Sequence, residues 1–372
     1  MANWDELPED GWSRIFGLVR SYLDRARCLA VCREWHRIGK QAGHTMLPSA
    51  VIPAAMEQGM TKAFDVVLRE HRLLRYAPSF AGMRIIGSFS GGRLAVVLAV
   101  GSTTSYAILD VLTGAPPVHL PERLRLPDSV EDQGVVITTI TEGIDVYAAI
   151  TLAAPYLVFW RLGMEAWCPS LAAPGDEEDP RLSPDCPVDD VVYRYASDTF
   201  CILSMRRDLW IYSAERLHDG GVSFHRTLVV RGPDFLGAPL GRYIVAAGGE
   251  DLMIVWPRRS LTRRGNASFQ LYILQRDSPT SWSWRLQSDP TGFIVFVGRG
   301  CSTAYRAAAG KPTVLHFIDG LGSPSRIYRR HDSRQRPFVS YADQVIERML
   351  PAASIVQSPD VWLLCPGYGD SE

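Results

Sequence analysis

Cys28, Cys32 and His36 recur at four-residue steps in the stretch CLAVCREWH, so a helix would set all three on one face. Thiols and an imidazole arranged in this way are the start of a zinc site. Cys28 and Cys32 would need two further ligands, however. His36 supplies one at best, no second pair lies nearby, and CxxxCxxxH is not a standard zinc spacing. The alternative is that both cysteines act as small apolar residues packed against Trp35, and that is the reading adopted.

Other stretches with chemical potential fare no better. GRG at 298–300 and GKPT at 310–313 look superficially like phosphate loops, but each lacks glycines or the Lys-Ser/Thr ending, and both lie among strand-like runs. They are expected to be turns. Eight histidines are dispersed, with neither HExxH nor GxSxG around them. The acidic run PGDEEDPRLSPDCPVDD (174–190) reads as a solvated loop between structural units, and the arginine run RIYRRHDSRQRP (326–337) as an exposed loop. Nothing here requires catalysis, a metal or a cofactor.

The elements that would carry these residues fall into two textures. In the first forty residues, Pro8 followed by Glu9 and Asp10 marks a helix start. Trp12, Ile15, Phe16 and Val19 then fall on one apolar stripe. Asp24 caps a second helix, where Cys28, Val31, Cys32 and Trp35 repeat that spacing, and a further turn ends at Gly43. Three short helices of this size cannot enclose all their apolar residues, so one face is expected to be completed by a partner.

From about residue 64 the chain becomes short apolar or alternating runs separated by Gly, Pro, Asp and Ser: RLAVVLAV, SYAILDVLTG, YLVFWRLG, DLWIYSAE, FQLYILQR and GFIVFVG among them. Helical periodicity is weak except around YADQVIERML (341–350). Strands leading into a turn and then an aromatic or proline recur at ILDVLTGAPP, VFWRLGMEAWCP, LWIYSAE, LYILQRDSPTSWSW and LHFIDGLGSP, roughly 45–60 residues apart, near the length of a four-stranded blade. The expected fold is a small all-α N-terminal unit followed by an all-β domain, a β-propeller of six or seven blades.

Hydrophobic residues make up 47 % of the 372 and charged residues 21 %, with a formal net charge of −1, so there is no overall attraction to nucleic acid or an anionic membrane. The polar start MANWDELPED has no signal-peptide pattern. The longest uncharged run, VYAAITLAAPYLVFW (146–160), is too short to span a bilayer and reads as two buried strands. Seven scattered cysteines suit reduced thiols rather than a disulfide framework. These features place the protein in the cytoplasm and/or the nucleus, with no nucleic-acid or membrane partner.

Both textures resemble known families. Leu7-Pro8, Ile15, Leu18, Asp24, Val31-Cys32-Arg33 and Trp35 look like an F-box, although Gly11-Trp12 stand where that family usually carries two aliphatic residues. The resemblance implies docking onto the Skp-type adaptor of cullin ubiquitin ligases through Leu7, Pro8, Ile15, Leu18, Val31, Cys32 and Trp35. IIGSFSGGRL, CPVDDVVYRYASDTFCILSMRRDLWIYS, RYIVAAGGEDLMIV, GFIVFVGRGCSTAY and SPDVWLLCP resemble, in order, the KIB-type β-propeller found behind the F-box in a large plant family. Relatives usually carry GRNCSFS where this chain has GRGCSTA.

The resemblance implies an F-box over 1–43, a linker or first propeller segment over 44–63, the propeller over 64–366 and a polar tail over 367–372. It also implies a non-catalytic receptor that presents a client protein to the ligase. Aromatic and arginine residues in turn-rich segments, Trp160, Arg161 and Trp167 in one and Trp282, Trp284 and Arg285 in another, are the candidate client contacts. The rival reading is a propeller enzyme or carbohydrate-binding protein with a helical cap.

Overall fold

The structure, a computed structural model, describes residues 8–19, 24–25, 28, 31–32, 35, 37, 48–57, 60–65, 70–74, 83–89, 91–100, 103–125, 133–151, 157–169, 188–194, 197–204, 208–216, 222–233, 242–247, 251–259, 267–278, 281–287, 292–298, 300–306, 313–318, 338–342, 345–348 and 361–363. Pro8 stands just outside the first helix, α1 (Glu9–Leu18), and its carbonyl accepts the Trp12 amide at 3.1 Å. α1 corresponds to the first of the three helices expected, while Val31 and Cys32, placed on the second, are not helical. The other two fall mostly outside the described residues, although Asp24, Arg25, Cys28, Trp35 and Arg37 are helical positions. Among the described residues no helix is long and apolar enough to cross a membrane.

The β-branched runs form strands in chain order. β1 (Ser49–Glu57), β2 (Met60–Asp65) and β3 (Glu70–Leu73) come first, so part of the segment 44–63 lies in a sheet. β4 (Met83–Phe89), β5 (Arg93–Val100), β6 (Thr103–Asp110) and β7 (Val118–Leu120) form blade two. A small ribbon follows, β8 (Arg123–Leu124) with β9 (Gln133–Gly134). Blade three is β10 (Ile137–Glu142), β11 (Val146–Thr151), β12 (Leu157–Arg161) and β13 (Cys168–Pro169), so the uncharged run does become two buried strands. Blade four is β14 (Val188–Arg194), β15 (Thr199–Ser204), β16 (Leu209–Arg216) and β17 (Val222–Val230). Blade five is β18 (Tyr243–Ala246), β19 (Leu252–Arg259), β20 (Ala267–Ser278) and β21 (Ser281–Leu286).

The remaining strands are β22 (Phe293–Val297), β23 (Thr303–Arg306), β24 (Val314–Ile318), β25 (Phe338–Ala342), β26 (Val345–Arg348) and β27 (Val361–Leu363). β27 pairs with β1, completing blade one in the order β27-β1-β2-β3 and joining the two ends of the chain in one sheet. Such closure ties the first blade to the last part of the β domain, while propeller blades keep only short, protected edges.

Among the described residues the structure has five four-stranded blades, and the expected six or seven is corrected to five. The last sheet is not of blade form. Its order is β23-β22-β24-β25-β26, with β22 and β24 parallel, Ile294 beside Val314 and Val297 beside Phe317. A parallel pair needs a crossover, and β23 lies within that crossover, pairing on the far side of β22. The stretch 341–350, which carried a helical pattern, supplies the end of β25 and all of β26.

The core lies in the seams between sheets. Phe89, Val97, Tyr106, Ile137, Trp160 and Trp167 fill the seam of blades two and three, and Phe159, Tyr193, Phe200, Trp210 and Phe224 that of blades three and four. Polar ties cross the seams of blades two and three and of blades four and five. Arg93 of β5 donates both terminal nitrogens to Glu142 of β10, at 2.7 and 2.6 Å, and Arg242 pairs with Asp189 at 2.6 Å.

The first strands β4, β10 and β14 each carry an irregular step: after the first residue in β10 and β14, Ile137/Thr139 and Val188/Asp190, and after the third in β4, Ile85/Gly87. A bulge re-aims the residue that follows it. Thr139 and Asp190 thus occupy equivalent positions in blades three and four, and a Cβ on Gly87 would collide with the Ile140 carbonyl oxygen of β10.

Candidate interaction surfaces

Trp12 and Phe16 of α1 are buried, and Trp35 packs on both, with ring centroids 4.6 and 6.1 Å away. The Arg25 guanidinium lies 5.6 Å from the Phe16 ring, and Cys28 and Ile15 pack at the margin. The Cys28 thiol is pushed up from its ordinary value by burial and then by the Asp24 carboxylate. The Cys32 sulfur accepts the Trp35 amide at 3.5 Å. Both cysteines are free thiols. This cluster is built for packing.

The same small unit leaves large apolar side chains in water. Leu18 is 79 % exposed and Val31 62 %, Cys32 and Pro8 are exposed, and Ile15 and Trp35 are half-buried. Leu7 lies outside the described residues. Every described candidate for adaptor contact except Trp35 and Ile15 is thus on the surface, and those two bridge surface and core.

The tryptophan candidates divide differently. Trp160 and Trp167 are buried in the seam of blades two and three. The Trp160 indole donates to the Met164 carbonyl at 2.8 Å. That of Trp167 donates to the Pro121 carbonyl at 2.9 Å, while its backbone is tied to Arg123 and Arg125. Both indoles are satisfied inside the protein and unavailable to a client, leaving half-buried Arg161 as the accessible member of that trio. On the outer hairpin of blade five, Trp282 and Trp284 are half-buried against the seam of blades four and five. Arg276 lies over the Trp282 ring at 5.6 Å, and exposed Arg285 pairs with Asp277 at 3.2 Å. The two trios sit on different blades with blade four between them.

Sequence reasoning missed Ile144 and Leu162, which are 49 % and 73 % exposed at two turn tips of blade three. Val146 pairs with Arg161, which sets both tips at the same end of that blade. The available signal was an apolar residue at a tip where polar turn formers dominate.

Gly298 and Gly300 of GRG lie in a turn between β22 and β23, where the Cys301 amide donates to the Gly298 carbonyl at 3.1 Å and Gly300 has φ +65°. In the acidic run only Val188, Asp189 and Asp190 fall among the described residues, and all three lie in β14 rather than in a solvated loop. The remainder of that run, and 326–337, lie outside the described residues.

Three solved structures share a low-identity likeness with the chain. One is a protein from Lactobacillus plantarum, at 8 % identity and TM-score 0.38, covering 87 % of this chain and 98 % of that one. Another is the Cps50 (Swd1) β-propeller domain of Myceliophteria thermophila, at 10 % and 0.32, covering 84 % and 98 %. The third is Hsv2 of Kluyveromyces lactis, at 11 % and 0.29, covering 76 % and 83 %. No curated protein matches. The KIB1-4 beta-propeller family model matches residues 63–335, which takes in blades two to five and strands β22 to β24. The chain belongs to the KIB1-4 β-propeller family.

Proposed function

We propose that the chain is the substrate-recognition subunit of a cullin ubiquitin ligase, docking to a Skp-type adaptor through its N-terminal helical unit and binding a client protein on the propeller. The observation that carries this reading is the exposure of Leu18 and Val31 beside the core that Trp12, Phe16 and Trp35 form among the described residues. Two large aliphatic side chains in water on so small a unit are what a partner surface looks like before the partner arrives. The receptor itself does no chemistry. It holds client lysines near the charged conjugating enzyme, so that transfer becomes effectively intramolecular. On the propeller, Arg161, Trp282, Trp284 and Arg285 remain the client contacts offered.

The test is capture of a Skp-type adaptor and its cullin by the tagged full chain, compared with the double variant Leu18→Asp/Val31→Asp. Both positions are exposed, so the variant should keep its thermal unfolding midpoint while adaptor capture is lost. Undiminished capture by a folded double variant rejects the docking surface. Trp35→Ala is a poorer probe, because it removes a ring from the core of the unit.

A further inference from the structure

The turn between β22 and β23 reaches the first strands of three blades at once. The Gly300 amide donates to Asp190 Oδ1 of β14 at 3.4 Å, and its carbonyl accepts the Ser88 amide of β4 at 3.2 Å. A Cβ on Gly300 would lie 2.7 Å from Thr139 Cγ2 of β10 and 3.2 Å from the Ile86 carbonyl oxygen. A residue wedged into one seam touches two blades; one that touches the first strands of blades two, three and four sits on the axis. Gly298, Gly300, Cys301 and Ser302 are all buried. The turn is also braced internally, because Ser302 Oγ donates to the Gly298 carbonyl at 2.8 Å and accepts the Gly298 amide at 3.2 Å.

Asp190 extends the connection. It is 1 % exposed, and a buried carboxylate persists only where hydrogen bonds replace its water. Its Oδ1 also accepts the Val191 amide at 3.0 Å, and Oδ2 accepts the Ile244 amide of β18 at 3.2 Å. A continuous path of hydrogen bonds therefore crosses the axis from Ser88 of blade two, through Gly300 and Asp190, to Ile244 of blade five. Hydrogen bonds to an ionised acceptor are the stronger kind, and dry surroundings strengthen them further.

We propose that this turn is an axial latch, which fills the centre of the propeller with the chain's own backbone, packs on blade three at Thr139, and ties blades two, four and five together through Gly300 and Asp190. Recognition then belongs to the faces and rim of the disc, because the depth of the channel at which a small ligand would rest is occupied.

Hydrogen exchange at single-residue resolution tests the latch in the full chain, with Asp190→Asn and Ser302→Ala as variants. Asp190→Asn puts an amide donor among backbone donors; Ser302→Ala touches no blade and removes only the brace inside the turn. Exchange at the Ser88 and Ile244 amides should rise about tenfold in both, the factor that goes with losing about one hydrogen bond's worth of protection. The Ala148 amide in the middle of blade three should keep its wild-type rate. If Ser302→Ala leaves the Ser88 and Ile244 amides at wild-type rates, the turn is a passive filler and the latch is wrong. That variant decides the matter even if Asp190→Asn fails to fold.

Discussion

His316 on β24 stacks on Phe296, with centroids 4.7 Å apart and planes 16° from parallel, in a site from which water is nearly excluded. Burial pushes its pKa down from the ordinary 6.5 to about 4. Above pH 6.5 neither the folded nor the unfolded chain protonates this ring, and its contribution to stability is complete. As the pH falls from 6.5 towards 4, the unfolded chain takes up a proton that the folded one refuses, so stability declines by up to on the order of 3 kcal/mol. His316→Phe keeps a ring on Phe296 and removes the titration. Denaturation midpoints measured between pH 4 and 7 should fall less steeply in the variant, and parallel curves would contradict the assignment. Cys201 is buried in the same sense, its thiol pushed up to about 12, which makes it inert packing.

Among the elements, the first strands are the most demanding. Gly87 follows the bulge in β4, and a Cβ there would strike the Ile140 carbonyl of β10, a backbone atom that cannot move aside as a side-chain tip can. Gly87→Ala should therefore cost about 2 kcal/mol or more. Gly134→Ala on β9, where a Cβ meets nothing within 4 Å, should stay within about 0.5 kcal/mol. Chemical denaturation of the two variants side by side checks this, and equal costs would mean that β4 and β10 are not held this close. Strand positions were legible in the sequence because β-branched alternation is local. The repeating strand-and-turn segments such as ILDVLTGAPP and VFWRLGMEAWCP correspond to β6 and β12, the third strands of their blades. The blade count was not legible, because it depends on β22 finding β24 as a parallel partner across an intervening strand. Val345 and Ile346 show the same limit: apolar spacing in YADQVIERML fits a helix, yet pairing with β25 makes it a strand. The fate of Trp160 and Trp167 was also set at long range, by the β8–β9 ribbon and blade two closing over them, whereas exposed Leu18 and Val31 could be inferred from the small size of their own unit.

At the scale of the whole molecule, the chain pairs a small helical unit, with aliphatic side chains left in water, to a propeller whose ends meet in one sheet and whose axis is filled by its own turn. That division of labour is the core of the receptor reading: docking on the helices, recognition on the disc. Hydrogen-exchange footprinting of the full chain, with and without a purified Skp-type adaptor, tests it most directly. Added adaptor should slow exchange across α1 and the helical positions up to Arg37, and leave β4, β10 and β14 at their free rates. No protection at α1, or protection that falls on the blades instead, would contradict it.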